Sequence, residues 1–333
     1  MKYYEDHRKL FGTAIALFLG LTYFVAIAPA LRNEAINEPL PGSEPLSSDE
    51  QAGKELYIAN GCVACHTQQV RDIPMDASWG SRPSIAADYA RSQRTDLWRN
   101  TATLMGTERT GPDLTDVGTR QPSVDWHLLH LYNPRAVVPE SVMPAYPWMF
   151  QNTDMPAEGQ KVVPVPDSYR RGSGKIVATE EALQLVAYLL SLKQVPLPDG
   201  SLTEAFAPEP TPLPASSASD GEASSTPQFD GARSYQKHCQ ACHQPTGKGL
   251  AGAFPPLAGS PIVLEEDPSK IVSIVMNGYD GRVSEGYAVM PPIGTTNNIS
   301  PEELQAIVNY IRSSWGNDAP AAEIDQIRTA LAE

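Results

Sequence analysis

The sequence predicts a mainly α-helical protein: one apolar helix near the N-terminus, then two small helical units joined by an unstructured linker. Three observations carry that prediction. The 22 residues from Leu10 to Leu31 contain no charged side chain. The arrangement Cys-x-x-Cys-His occurs twice, at Cys62-Val63-Ala64-Cys65-His66 and Cys239-Gln240-Ala241-Cys242-His243, and together the copies use all four cysteines. Each copy follows a Gly-x-x-x-Tyr (Gly53 to Tyr57, Gly231 to Tyr235), and a Pro-, Ser- and acid-rich stretch at 196–228 separates the two.

Each element has a local reason. The run at 10–31 is long enough to cross a bilayer as a helix. Ala28-Pro29-Ala30 imitates a signal-peptide cleavage site, but apolar cores of signal peptides run only about 7–15 residues, so an uncleaved anchor is expected. Lys2, Arg8 and Lys9 precede the run and only Arg32 follows closely. That asymmetry places a tail at 1–9 in the cytoplasm and the rest outside. Residues 32–46 are a polar spacer. Ser47 and Glu50 can form a capping box that opens a helix to Asn60, stopped by Gly61. A second helix is expected at 180–193, with Leu183, Val186, Ala187, Leu189 and Leu190 as its buried stripe, ended by Pro196. The stretch 196–228 has too little apolar surface to fold and reads as a disordered tether. Ser300, Pro301 and Glu303 then open a last helix as N-cap, N1 proline and capping-box acid. Its stripe is Leu304, Ile307, Val308 and Ile311. The chain thus holds two copies of one unit, at 47–195 and 229–333.

Cys-x-x-Cys-His is the attachment signature of c-type haem: two thiols bond the porphyrin and the adjacent imidazole binds iron. Zinc ribbons do not require His after each second Cys, and a redox Cys-x-x-Cys needs a thioredoxin-like βαβ context that is missing from the sequence pattern. Two covalently bound haem c are therefore expected, on Cys62, Cys65 and His66 and on Cys239, Cys242 and His243. A second iron ligand is sought in a Pro-stiffened loop before each terminal helix. Met143 (Val142-Met143-Pro144) and Met290 (Val289-Met290-Pro291) fit, with Met155 as a rival in the first copy. Met105, Met149 and Met276 read as core filler. His127 and His130, at i, i+3 spacing, are alternative ligands or simply packing groups. In class I cytochromes c, a Pro carbonyl in a P-x-L loop supports the axial His. By that resemblance Pro112-Asp113-Leu114 and Pro255-Pro256-Leu257 are the supporting loops, and Arg71 and Arg135 are candidates to meet the haem propionates. The expected fold is mainly α, an N-terminal transmembrane helix plus two class I cytochrome c domains joined by a disordered linker.

Residues 1–195 resemble the membrane-anchored cytochrome c subunit (CcoO) of cbb3-type haem–copper oxidases. The resemblance rests on Leu56-Tyr57-Ile58, Gly61 to His66 and Gln69, on Arg109-Thr110-Gly111-Pro112-Asp113-Leu114 with Val117-Gly118, and on the block from Asp125-Trp126-His127 through His130 to Arg135, Val138 to Ser141 and Met143 to Trp148. It implies His66 and Met143 as ligands and a haem–copper catalytic subunit as partner. The extra unit at 229–333 resembles the single-haem modules of the oxidase's dihaem subunit, and also the cytochromes fused to periplasmic dehydrogenases.

The expected role is electron transfer without bond-breaking chemistry, as a subunit that is not itself an enzyme. Its partners would be the catalytic and other oxidase subunits and a soluble or membrane electron donor such as a cytochrome c. The setting would be the bacterial inner membrane, single-pass, with the haem domains periplasmic. A second domain on a tether would commute between donor and acceptor. Rival readings are a cytochrome subunit of a periplasmic dehydrogenase or quinol-oxidising complex, and a dihaem peroxidase with one open iron. Net charge is −14, which excludes nucleic acid as a partner, because that binding needs a basic patch.

Overall fold

The computed structural model describes residues 5–36, 40–90, 104–198 and 229–332. The chain divides into two compact units. One comprises Met1–Leu46, Ser84–Leu104 and Val195–Glu204; the other comprises Ser47–Pro83, Met105–Gln194 and Ala205–Glu333. The tether expected at 196–228 lies outside the described residues from 199 on, as do residues 1–4 of the expected tail.

In the first unit, α1 (His7–Leu21) runs through a π-helical turn (Thr22–Ile27) into α2 (Ala28–Ile36). The wide turn has a cause in the sequence. Pro29 has no N–H to give and its ring crowds the preceding turn, which a local change to i→i−5 bonding relieves. The bond from Ala28 N–H to Tyr23 O is of that kind. The apolar helix His7–Arg32 has 26 residues, about 39 Å at 1.5 Å per residue, and none of its residues from His7 to Ile27 is buried. A long apolar helix with no buried face fits a membrane anchor and not a core helix. A short helix, α4 (Ala86–Ala90), belongs to the same unit.

In the second unit, α3 (Ser48–Ala59) starts at Ser47, whose hydroxyl accepts the Glu50 amide while the Glu50 carboxylate accepts the Ser47 amide. Gly61, at φ 70°, then turns the chain into a 3₁₀ turn over Cys62–Ala64. Short helices α5 (Val117–Arg120), α6 (Val124–Tyr132) and α7 (Pro134–Val137) follow. Strands β1 (Phe150–Thr153) and β2 (Lys175–Ala178) pair antiparallel, Phe150 opposite Ala178 and Thr153 opposite Lys175. They clamp the extra length of the first copy and lead into α8 (Glu180–Ser191), capped by Thr179.

Residues 229–332 form α9 (Gly231–His238), α10 (Gln240–His243), α11 (Pro261–Leu264), α12 (Ser269–Asn277), α13 (Ile293–Thr296), α14 (Pro301–Ser313) and α15 (Ile324–Ala332). The repeat seen in the sequence is a repeated helix crossing. Gly53 of α3 lies against the Gln184 carbonyl of α8, and Gly231 of α9 against the Ala306 carbonyl of α14; a Cβ would stand 2.0 Å and 2.2 Å from those oxygens. Four residues on, Tyr57 meets Tyr188 edge-on at 5.6 Å and Tyr235 meets Tyr310 at 5.3 Å. Glycine lets the helices approach and the tyrosine fills the adjoining turn.

The stripe expected on α14 is the buried one: Leu304, Ile307, Val308 and Ile311 are all within 2 % of full burial. On α8 the buried face is rotated from the expected stripe. Ala182, Leu185, Val186, Tyr188 and Leu189 point inward, while Leu183 is exposed. The crossing at Gly53 fixes Gln184 and Tyr188 toward α3 and so turns the apolar arc. Glu303 also departs from expectation. Ser300 Oγ does accept the Glu303 amide, but the Glu303 carboxylate accepts from Ser234 Oγ (2.9 Å) and lies 3.4 Å from His238, bracing α9.

Candidate functional site

Both Cys-x-x-Cys-His turns sit at the end of the helix that makes the glycine crossing, so the same packing that builds the core aims the motif. His66 Nδ1 lies 2.8 Å from the Pro112 carbonyl oxygen, and His243 Nδ1 lies 2.9 Å from that of Pro255. A carbonyl can only accept, so Nδ1 carries the proton and the Nε2 lone pair is left for a metal. Burial lowers the pKa of both imidazoles, outweighing the carbonyl bond that raises it, and a neutral ring is the one that ligates. Gly111 presses on the first ring so closely that a Cβ would stand 2.3 Å from His66 Cε1.

The thiols are not those of a redox catalyst. Burial pushes Cys62 up to about 11 and Cys239 and Cys242 up to about 12, the opposite of the shift that activates a nucleophilic cysteine. In the second copy, Cys239, Cys242, His243 and Met290 line one cavity with apolar Phe254 and Val275. Met290 is fixed there by paired backbone bonds to Tyr279, both 2.9 Å. A thiol pair, a neutral imidazole and a thioether around an apolar slot fit haem c. In the first copy Met143 sits on a loop whose Tyr146 hydroxyl reaches the Cys62 thiol. Arg135 Nη1 donates to the Met143 carbonyl at 3.4 Å. Met155 and Met75 are largely exposed and Met149 is fully buried in the core.

His127 is a packing histidine: it is buried, its Nε2 lies 2.8 Å from the Gln121 carbonyl, and burial drops its pKa to about 4. His130 stacks on Trp126 with 4.7 Å between centroids and 9° between planes, and its buried Nδ1 has no partner among the described residues. Burial, then the proximity of His127 and His66, brings it to about 3.

Arg71 turns away from the role suggested for it. Its Nε and Nη2 donate to buried Asp76 at 3.0 and 3.1 Å, because a carboxylate taken out of water needs charged donors. Arg109 joins Asp76 to Thr67 Oγ1 and the Gln69 carbonyl. Asp113 accepts the Gln69 and Thr115 amides, each at 2.8 Å. Burial alone would raise the Asp76 carboxyl; the Arg71 and Arg109 side chains and the Arg71 amide overcome that and hold it at about 2. This network braces the loop that carries Pro112. Sequence reading quoted Arg109 and Asp113 without giving them a task, and it missed Asp76; no local pattern marks that pairing. Gln121 and Ser123 were missed as well, although they line the second cavity.

Comparison with known proteins fits this geometry. Residues 2–165 match the family model for the cytochrome c oxidase mono-haem subunit, FixO, and residues 229–315 match cytochrome c. The cytochrome c subunit of a quinone alcohol dehydrogenase from Komagataeibacter europaeus is 34 % identical over 171 residues, 47 % of this chain and 34 % of that protein. Cytochrome c-552 of Thermus thermophilus is 33 % identical over 94 residues, 27 % of this chain and 71 % of that one. A fructose dehydrogenase cytochrome subunit from Gluconobacter japonicus is 28 % identical over 111 residues, 32 % of this chain and 23 % of the relative. The chain thus spans about a third of the length of the alcohol dehydrogenase subunits that it matches. The two matched regions and their motifs fit two covalently bound haem c. The chain belongs to the c-type cytochromes, with a FixO (CcoO) part over residues 2–165 and a class I cytochrome c domain over 229–315.

Proposed function

We propose that this chain is the dihaem electron-transfer subunit of a cbb3-type haem–copper oxidase, passing electrons from an external donor to the catalytic subunit. Each bound haem c supplies a one-electron iron couple. The protein's part is to hold and insulate it. His66 and His243, oriented by the Pro112 and Pro255 carbonyls, would hold the haem irons together with Met143 and Met290. A thioether raises the potential relative to a second imidazole and closes the iron to substrate, so the chain itself is not a catalyst. In this reading residues 1–9 are cytoplasmic, both haem domains, 47–195 and 229–333, lie on the periplasmic side of the inner membrane, and 196–228 are the linker.

The observation that carries this reading is the oxidase-subunit match, which begins ahead of the anchor and runs through it, the first motif and the Trp126–Trp148 block to residue 165. The quinone alcohol dehydrogenase and fructose dehydrogenase relatives support a second reading, a cytochrome subunit of a dehydrogenase complex. Purification from native membranes with haem typing separates the two. Co-isolation of a b-haem, copper-containing subunit supports the oxidase; co-isolation of a quinoprotein or flavoprotein overturns it.

A further inference from the structure

Four residues of the first haem region touch the second haem motif or its surroundings. Trp126 Nε1 donates to the carbonyl of Ala241, inside Cys239-Gln240-Ala241-Cys242-His243, at 3.1 Å. Gln244 Nε2, the next residue after that motif, donates to the Val137 carbonyl at 3.4 Å. Gln121 and Ser123 line the cavity that holds His243 and Met290. We propose that the Gln121–Trp126 segment is a seat for the second haem motif, so that the two haem sites form one docked pair with Trp126 at the contact.

The chemistry of the segment suits that task. Gln121 and Ser123 offer polar groups to the rim of an apolar slot, and Trp126 offers one indole N–H to a backbone carbonyl. Trp126 donates its one indole N–H to Ala241, an indole being a donor with no acceptor role. His130 lies flat on the Trp126 ring. The contact therefore runs from the Cys239–His243 turn to Trp126 and the His130 ring stacked on it. Bound haems would supply a one-electron iron couple on either side of this contact. No bond or proton moves, and the aromatic pair is a packed medium that is not itself oxidised. Docking also means that residues of the first region set the polarity around the second haem, a lever on its potential. It replaces a freely commuting second domain with a fixed relay.

This inference rests on the electron-carrier reading only in requiring both haems, so covalent haem is counted first. Two haems per chain with no docking would sink the pair and leave the carrier reading intact. In the full-length, haem-loaded protein, dipolar magnetic resonance between the two ferric haems should give one narrow distance; a broad distribution would overturn the proposal without any variant being made. Trp126→Phe keeps the stack and removes the N–H, and Gln121→Leu makes the cavity wall apolar. The proposal expects Trp126→Phe to broaden the distance, and Gln121→Leu to shift the second haem's potential while leaving the first unmoved. Both haems unchanged in both variants would refute it.

Discussion

Gly53→Ala tests whether the repeated helix crossing is what organises each haem unit. An added methyl would sit 2.0 Å from the Gln184 carbonyl oxygen, 2.6 Å from its carbon and 2.8 Å from Tyr188 Cβ, where ordinary contact begins near 3.4 Å. The obstacles are backbone and the root of a side chain, so no rotamer change relieves them, and α3 must lift off α8 by about 1.4 Å. Overpacking of this kind costs about 1–3 kcal/mol. A radial gap of about 0.5–1 Å also forfeits a quarter to a half of the contacts around it, Tyr57 on Tyr188 among them. Against this, Ala is better than Gly in a helix by about 1 kcal/mol. The net loss is about 2 kcal/mol, which for a unit of this size lowers Tm by about 8 °C. Far-UV circular dichroism melts of the haem-loaded protein measure it. Gly231→Ala should behave alike, its methyl meeting the Ala306 carbonyl oxygen at 2.2 Å. A rise in Tm at Gly53, the result of propensity alone, would show that the crossing does not require glycine.

Met143→His and Met290→His should each lower the potential of its own haem, since a second imidazole replaces a thioether; redox titration that finds a potential unmoved would remove that Met from the iron. Arg312 is buried and donates to four main-chain carbonyls, those of Val263, Glu265, Glu266 and Pro320, at 2.7–3.2 Å. Arg312→Met strands these acceptors and should cost about 3 kcal/mol, read as a lower urea midpoint with unchanged slope. The Asp76 carboxyl is held at about 2, below its value of about 3.9 in an unfolded chain. Its contribution is therefore present above about pH 4 and lost as pH falls toward about 2. Asp76→Asn should flatten stability across that window; an unaltered acid transition would refute the assignment.

Much of the haem scaffold was legible because it is local. Capping at Ser47 and Ser300, the Gly-x-x-x-Tyr spacing and the two attachment motifs each act within a few residues, so their geometry is written where they stand. The supporting carbonyls of Pro112 and Pro255 were legible only through resemblance, since 46 residues separate His66 from Pro112 and nothing in between announces the bond. What stayed hidden depends on long-range placement. The α8 stripe was misjudged because its neighbour, and not its own periodicity, selects the buried arc. Asp76 and Arg109 meet across 33 residues of chain, and Trp126 meets Ala241 across 115. The strands at 150–153 and 175–178 are four residues each, too short for an alternating pattern to rise above the helical signal around them.

The two copies reach the same imidazole geometry by different means, and the difference has consequences. In the first, the carbonyl-bearing loop is tied by ions: Asp76 and Asp113 hold Arg71, Arg109 and the Gln69 and Thr115 amides. In the second, Asn317 does the corresponding work without charge. It is buried, its Oδ1 accepts the Gly259 amide at 2.7 Å, and its Nδ2 donates to the Leu257 and Ile311 carbonyls. An amide does not titrate, whereas a carboxylate among guanidiniums does. Acid should therefore loosen the loop behind His66 while the loop behind His243 holds. In the intact chain, acidification should disturb the spectrum of the first haem at a pH where the second is unperturbed. Of the two loops that carry the supporting carbonyls, the one behind His66 is thus the acid-sensitive one.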